Sequence, residues 1–249
     1  MTKVAQVLSP VDLLEDKKTR TFAEDNSMVQ FSKASTAYVD KGCTSIIPRE
    51  PLRYEFSGVS IWLDIEGSKE GGDYYRAIID CASKLGLTPI QGHVTAIYGI
   101  THLTEDEARM KFCSDVRTHF LGIGGWPDLQ PIGVLSDMSI DGVNGGRMDM
   151  RWSEITLSSS DEHEACLDTL HDIFHDESSS GKVHRRPWRP HASIAYDNPE
   201  DSSLGLLETL EVVSLYPSLT QNVKRVNGMS LWSTEGRMSE WRCIERFEF

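Results

Sequence analysis

Hydrophobic and polar positions alternate with a period of two over residues 58 to 66, GVSIWLDIE, which predicts a strand with Ile61, Leu63 and Ile65 on one face and Ser60, Trp62 and Asp64 on the other. The period then lengthens. DYYRAIIDCASKLG has the spacing of an amphipathic helix, closed by Gly86 at the customary C-terminal position. The apolar, β-branched run QGHVTAIYGI, residues 91 to 100, predicts a second strand. LTEDEARMKF opens another helix, with Thr104 as N-cap and Glu107 as the reciprocal half of a capping box. Further on, LQPIGVLSDMSIDG and GRMDMRWSEITLS flank the turn DGVNGG and predict a long hairpin. SDEHEACLDTLHDIF reads as a helix, RPHASIAYD as a strand after a long loop, and MSLWSTEG and WRCIERFEF as two closing strands.

Before residue 58 no period of 2 or 3.6 is sustained, and residues 1–57 read as an extension that either projects from the body or wraps it through TSIIPREPLRYEF. The remainder, residues 58–249, contains the order strand, helix, strand twice. Trp62 lies 31 residues before His93, and Ile155 lies 36 before His191. The half-repeats fall at about 58–125 and 147–215, with closing strands at 228–249. Two related α+β lobes meeting across a cleft are the expected architecture.

The second strand of each half carries the same chemistry. In a strand, residues two apart emerge from one face roughly 7 Å apart, so His93 and Thr95 point together while Val94 and Ala96 face a core. Alone, such a pair reads as a half-buried histidine satisfied by a backbone carbonyl. His191 and Ser193 repeat it, again with a tyrosine five residues after the histidine. A third match, His102 to Thr104, drops out because that hydroxyl is already committed to the helix cap.

Charge narrows the partners. The chain has 249 residues, 39% of them hydrophobic, and a formal net charge of −13, with a pI near 5.0. Broad binding to long nucleic acid needs lysine and arginine to neutralise phosphates, so that class is disfavoured, while a small anion in a local pocket is not. Five cysteines without a C-x-x-C pair fit a reducing compartment. No signal-peptide pattern, 18-residue apolar window or N-x-S/T sequon occurs, so a cytosolic or nuclear protein without a membrane partner is expected.

Two histidines with two hydroxyls across a cleft suit cleavage of a phosphodiester without a metal. In-line displacement at phosphorus puts the attacking and leaving oxygens at opposite ends, so a base is needed on one side and an acid on the other. An ordinary histidine pKa of about 6.5 lets one imidazole be neutral while the other is protonated. The hydroxyls can donate to the non-bridging oxygens.

The paired GHVTAIY and PHASIAY, the first strand SIWLDI, the LTEDEARMKF helix and the LWSTEG ending followed by a tryptophan together resemble the 2H phosphoesterase superfamily, and within it the eukaryotic cyclic phosphodiesterases, over residues 58 to 249. The resemblance implies a bilobal α+β fold of two pseudo-symmetric antiparallel-sheet lobes with outer helices. It also implies cofactor-free, metal-independent hydrolysis of 2′,3′-cyclic nucleotides or ADP-ribose 1″,2″-cyclic phosphate, as in the metabolism of tRNA-splicing by-products. His93, Thr95, His191 and Ser193 are then the catalytic residues, with His93 as acid and His191 as base by analogy, an order the near symmetry leaves open to exchange.

Trp62 matches a pocket-lining aromatic of the family's first strand, where an indole would stack on adenine; core packing is its alternative. Tyr196 also matches a position near the site, although strict alternation puts it on the face opposite His191 unless the strand bulges or ends there. Arg185, Arg186 and Arg189 surround Trp188 just before the second motif, the composition of a phosphate-attracting lid or of a solvated turn. His171 and His175 have zinc-ligand spacing without an evident third ligand, and GIGGW lacks dinucleotide-motif spacing, so neither a metal nor a dinucleotide is expected. The expected partner is a small cyclic-phosphate nucleotide as substrate, and the protein is expected to be a monomer. Trimming of short RNA 3′ ends or of 2′,5′-oligoadenylate, and a non-catalytic module binding cyclic phosphates or RNA ends, are the alternatives.

Overall fold

In the computed structural model of the chain, which describes residues 52–85, 92–141, 147–175, 188–198 and 205–249, the alternating stretch SIWLDI lies in β1 (Val59–Ile65), buried along its whole length. The remaining elements follow as α1 (Asp73–Lys84), β2 (Val94–Ile100), α2 (Glu105–Lys111), α3 (Arg117–Ile123), β3 (Pro131–Asp141), β4 (Arg147–Leu157), α4 (Asp161–Phe174), β5 (His191–Asp197), α5 (Leu206–Val213), α6 (Pro217–Thr220), β6 (Val226–Ser233) and β7 (Arg242–Glu248). These residues all fall within one compact unit, Ile46–Phe249. Gly86, the turn at 142–146 and the loop at 176–187 lie outside the described residues, as do residues 1–51 with Cys43.

The strands form one antiparallel sheet in the order β3-β4-β5-β2-β1-β6-β7. The protein is therefore a mixed α+β protein built on a single sheet. The internal repeat runs further than the strand, helix, strand order predicts. Each half is strand, helix, strand, helical segment, strand: β1-α1-β2-α2-α3-β3, then β4-α4-β5-α5-α6-β6. The third strands are exchanged, β3 pairing with β4 of the other half and β6 with β1. The exchange covers the backbone edge that each first strand would otherwise expose. The helices cross over too, α1 packing on β5 and α4 on β2. The two motif strands β2 and β5 meet through one registered pair, Val94 with Ala192, both fully buried.

Local chemistry explains the helix ends. At the start of α2 the Thr104 hydroxyl accepts from the Glu107 amide at 3.3 Å, and the Glu107 carboxylate accepts from the Thr104 amide at 2.8 Å, the reciprocal cap expected at this position. A π-helical turn, Phe112–Val116, carries the helix on into α3 and directs Phe112, Val116 and Phe120 inward. Gly124, with φ of 86°, stops it in the left-handed conformation that glycine favours. Thr104→Ala removes the cap at an exposed site and is expected to lower stability by about 1 kcal/mol, read as a lower urea midpoint with unchanged slope. An unchanged midpoint would mean the cap adds nothing.

Residues 52–57, which the sequence pattern assigns to the extension, lie on this body. Leu52 and Phe56 are buried, and Phe56 exchanges backbone hydrogen bonds with Gly236 at 2.8 and 3.1 Å. Cys81, Cys113, Cys166 and Cys243 are free thiols. Among the described residues no helix is long and apolar enough to cross a membrane.

Candidate active site

The β2–β5 junction places the two motifs. Val94 and Ala192 face each other and point into the core. One residue either way, antiparallel register sets His93 across from Ser193 and Thr95 across from His191, all four on the opposite face of the sheet. The register thus sets each histidine position across from the hydroxyl position of the other motif. His93 and Ser193 are buried, at 3% exposure each, while Thr95 and His191 are half-buried.

The two histidines have different surroundings although the strands around them are related. In register, Trp62 of β1 pairs with Thr95, and Glu154 of β4 pairs with Ser193, so an indole and a carboxylate occupy equivalent places. The His93 ring stacks on Trp62 with centroids 3.5 Å apart and planes 12° from parallel. His191 Nδ1 lies 2.9 Å from the Arg189 carbonyl, a contact that requires Nδ1 to carry the hydrogen and leaves Nε2 for a substrate. The same Nδ1 is 3.6 Å from Glu154 Oε2. Glu154 is buried and its Oε2 accepts from the Trp152 indole N–H at 2.7 Å.

Tyr196 reaches the site through a bulge. Ser153 pairs with Ala195 but the next residue, Glu154, pairs with Ser193, so Ile194 has no cross-strand partner and the side-chain alternation of β5 resets. Tyr196 consequently joins the histidine face, its hydroxyl 2.7 Å from Ser193 Oγ. Burial pushes the Tyr196 phenol up to about 12, so it remains protonated near neutral pH and can share its hydrogen with Ser193. Tyr98, at the equivalent distance from His93, is half exposed. Both tyrosines meet the Phe56 ring edge to face, at 6.2 and 6.3 Å.

Trp62 is not placed to stack on a base. Its indole stacks on His93 at 3.5 Å and on Trp232 at 4.2 Å, and 2% of its surface is exposed. The partly exposed Trp232 ends this stack, and Trp241 meets Trp62 edge to face at 5.8 Å. Trp188 packs against the core beside Trp126 and His163 rather than forming a lid, and its indole N–H donates to the Thr95 carbonyl at 3.1 Å, tying the two motif segments together. Arg189 is exposed and contributes its carbonyl to His191; Arg185 and Arg186 lie outside the described residues.

The His171 and His175 rings stack on each other at 4.3 Å, and His102 joins them at 4.6 Å from His175 with its Nε2 on the Phe174 carbonyl. Stacked faces do not converge on a common point, and among the described residues no group of three or more His, Cys, Asp and Glu side chains is arranged to hold a metal ion. Sequence reasoning missed Glu154, Trp152, Phe56, Trp232 and Trp241. Trp152 and Glu154 alternate on the polar face of RWSEITLS, a detectable signal, but only the register shows which histidine they serve. No model of a known protein family matches the chain, and no curated protein matches it.

Proposed function

We propose that the chain is a metal-independent cyclic phosphodiesterase of the 2H type, opening a 2′,3′-cyclic nucleotide or ADP-ribose 1″,2″-cyclic phosphate to a phosphomonoester. The observation that carries the reading is the pairing of Val94 with Ala192, whose register brings the two histidine positions and the two hydroxyl positions together on one face of the sheet. On this reading the exchanged halves are the two lobes of a bilobal 2H fold and the β2–β5 junction is the floor of its cleft.

One neutral imidazole takes a proton from water as the water oxygen bonds to phosphorus. The bond from phosphorus to one ribose oxygen breaks, and the protonated imidazole gives that oxygen its hydrogen. Thr95 and Ser193 donate to the non-bridging oxygens, and Tyr196 completes the bonding of Ser193. No step calls for a cofactor. Incubation with each cyclic phosphate in EDTA, followed by chromatography, is expected to show conversion to the monoester. Turnover that EDTA abolishes would overturn the mechanism.

A further inference from the structure

We infer that Glu154 is the positioning residue of His191, fixing that ring so that its Nε2 faces the substrate; the inference rests on the cyclic phosphodiesterase reading. The placement is specific. The carboxylate is 5% exposed and held by the Trp152 indole N–H at 2.7 Å, with Oε2 3.6 Å from His191 Nδ1. Arg189 carbonyl, 2.9 Å from the same nitrogen, keeps the hydrogen on Nδ1. When Nε2 takes a proton from water, the new positive charge on the ring forms beside a fixed negative one in a buried setting, where solvent screens it little.

The repeat supplies an internal comparison. At the register position equivalent to Glu154, the first half has Trp62, so His93 rests on an apolar indole where His191 has a carboxylate. Tyr196 on β5, which also lies near Glu154, is a neutral phenol and adds no counter-charge. Arg189 on the same segment is exposed, and Ser193, paired with Glu154, does not titrate.

The test compares wild type with Glu154→Gln, which keeps an acceptor for the Trp152 indole and removes the charge, by histidine ring NMR of the full-length chain at one fixed pH, with His191→Ala identifying the resonances. The His191 ring resonances are expected to move in the Gln variant while those of His93 stay in place. Turnover of 2′,3′-cyclic AMP in EDTA is followed with both proteins. The kcat should fall about 10- to 100-fold, as for carboxylates that orient histidines elsewhere, with little change in KM. Glu154→Asp, which retains the charge, should recover part of the loss. Unmoved His191 ring resonances in the Gln variant overturn the inference whether or not the protein turns over the substrate, and so does a raised KM with kcat unchanged. Moved His191 resonances without turnover by wild type would instead leave the pairing standing and count against the proposed function.

Discussion

His191→Ala is expected to lower turnover of 2′,3′-cyclic AMP by about 10²- to 10⁴-fold, the loss typical of removing one positioned acid or base. The fold should persist, because the His191 side chain is 32% exposed and its truncation opens little of the core. His93→Ala should cost at least as much activity, but it also removes a buried ring from the face of Trp62 and should lower stability besides. The double variant is expected to be scarcely worse than the weaker single variant, since an acid and a base that act in one step fail together. Rates and thermal midpoints measured side by side check this. A His191→Ala protein that retains wild-type turnover would remove the histidine from the chemistry, and losses that simply multiply in the double variant would mean the two act independently.

Trp62→Ala should produce the largest loss of stability, about 3–5 kcal/mol, the usual cost of deleting a buried aromatic. Its indole fills the space between His93 and Trp232 with 2% of its surface exposed, so neighbouring rings would face a void rather than water. The measurement is the urea midpoint. A variant with an unchanged midpoint and a raised KM would return Trp62 to the role of nucleotide platform that the family resemblance implies. Because the same ring supports His93, activity is expected to fall in the folded fraction too, through misplacement of an imidazole.

Much of this arrangement could be read from the chain. The alternation of SIWLDI predicts β1, the capping pair Thr104 and Glu107 predicts where α2 begins, and the repeated His-x-hydroxyl strands predict which residues share a face. These signals are local, and local geometry sets them. What escaped was long-range. Exchange of β3 and β6 between the halves depends on which sheet edge each strand covers, and the strand patterns alone do not encode that. The bulge at Ile194 is a register event between two strands, so strict alternation placed Tyr196 on the wrong face. Trp62 shows a different limit: it sits at a polar-face position by period, yet two aromatic neighbours bury it, and their approach follows from tertiary packing. Glu154 was visible as a carboxylate on a strand face, but its value lies in pairing with Ser193 beside His191.

The difference between the two histidines follows from the same repeat. Related strands deliver an indole to one ring and a carboxylate to the other, while the hydroxyls stay equivalent across the β2–β5 junction.

The most direct test is phosphorus NMR of 2′,3′-cyclic AMP in EDTA, followed with wild-type protein and with His191→Ala. The account predicts that wild type converts the cyclic phosphate resonance to that of a monoester and that the variant leaves it essentially unchanged over the same period. Equal conversion by both proteins, or a cyclic resonance that wild type does not consume, would contradict it.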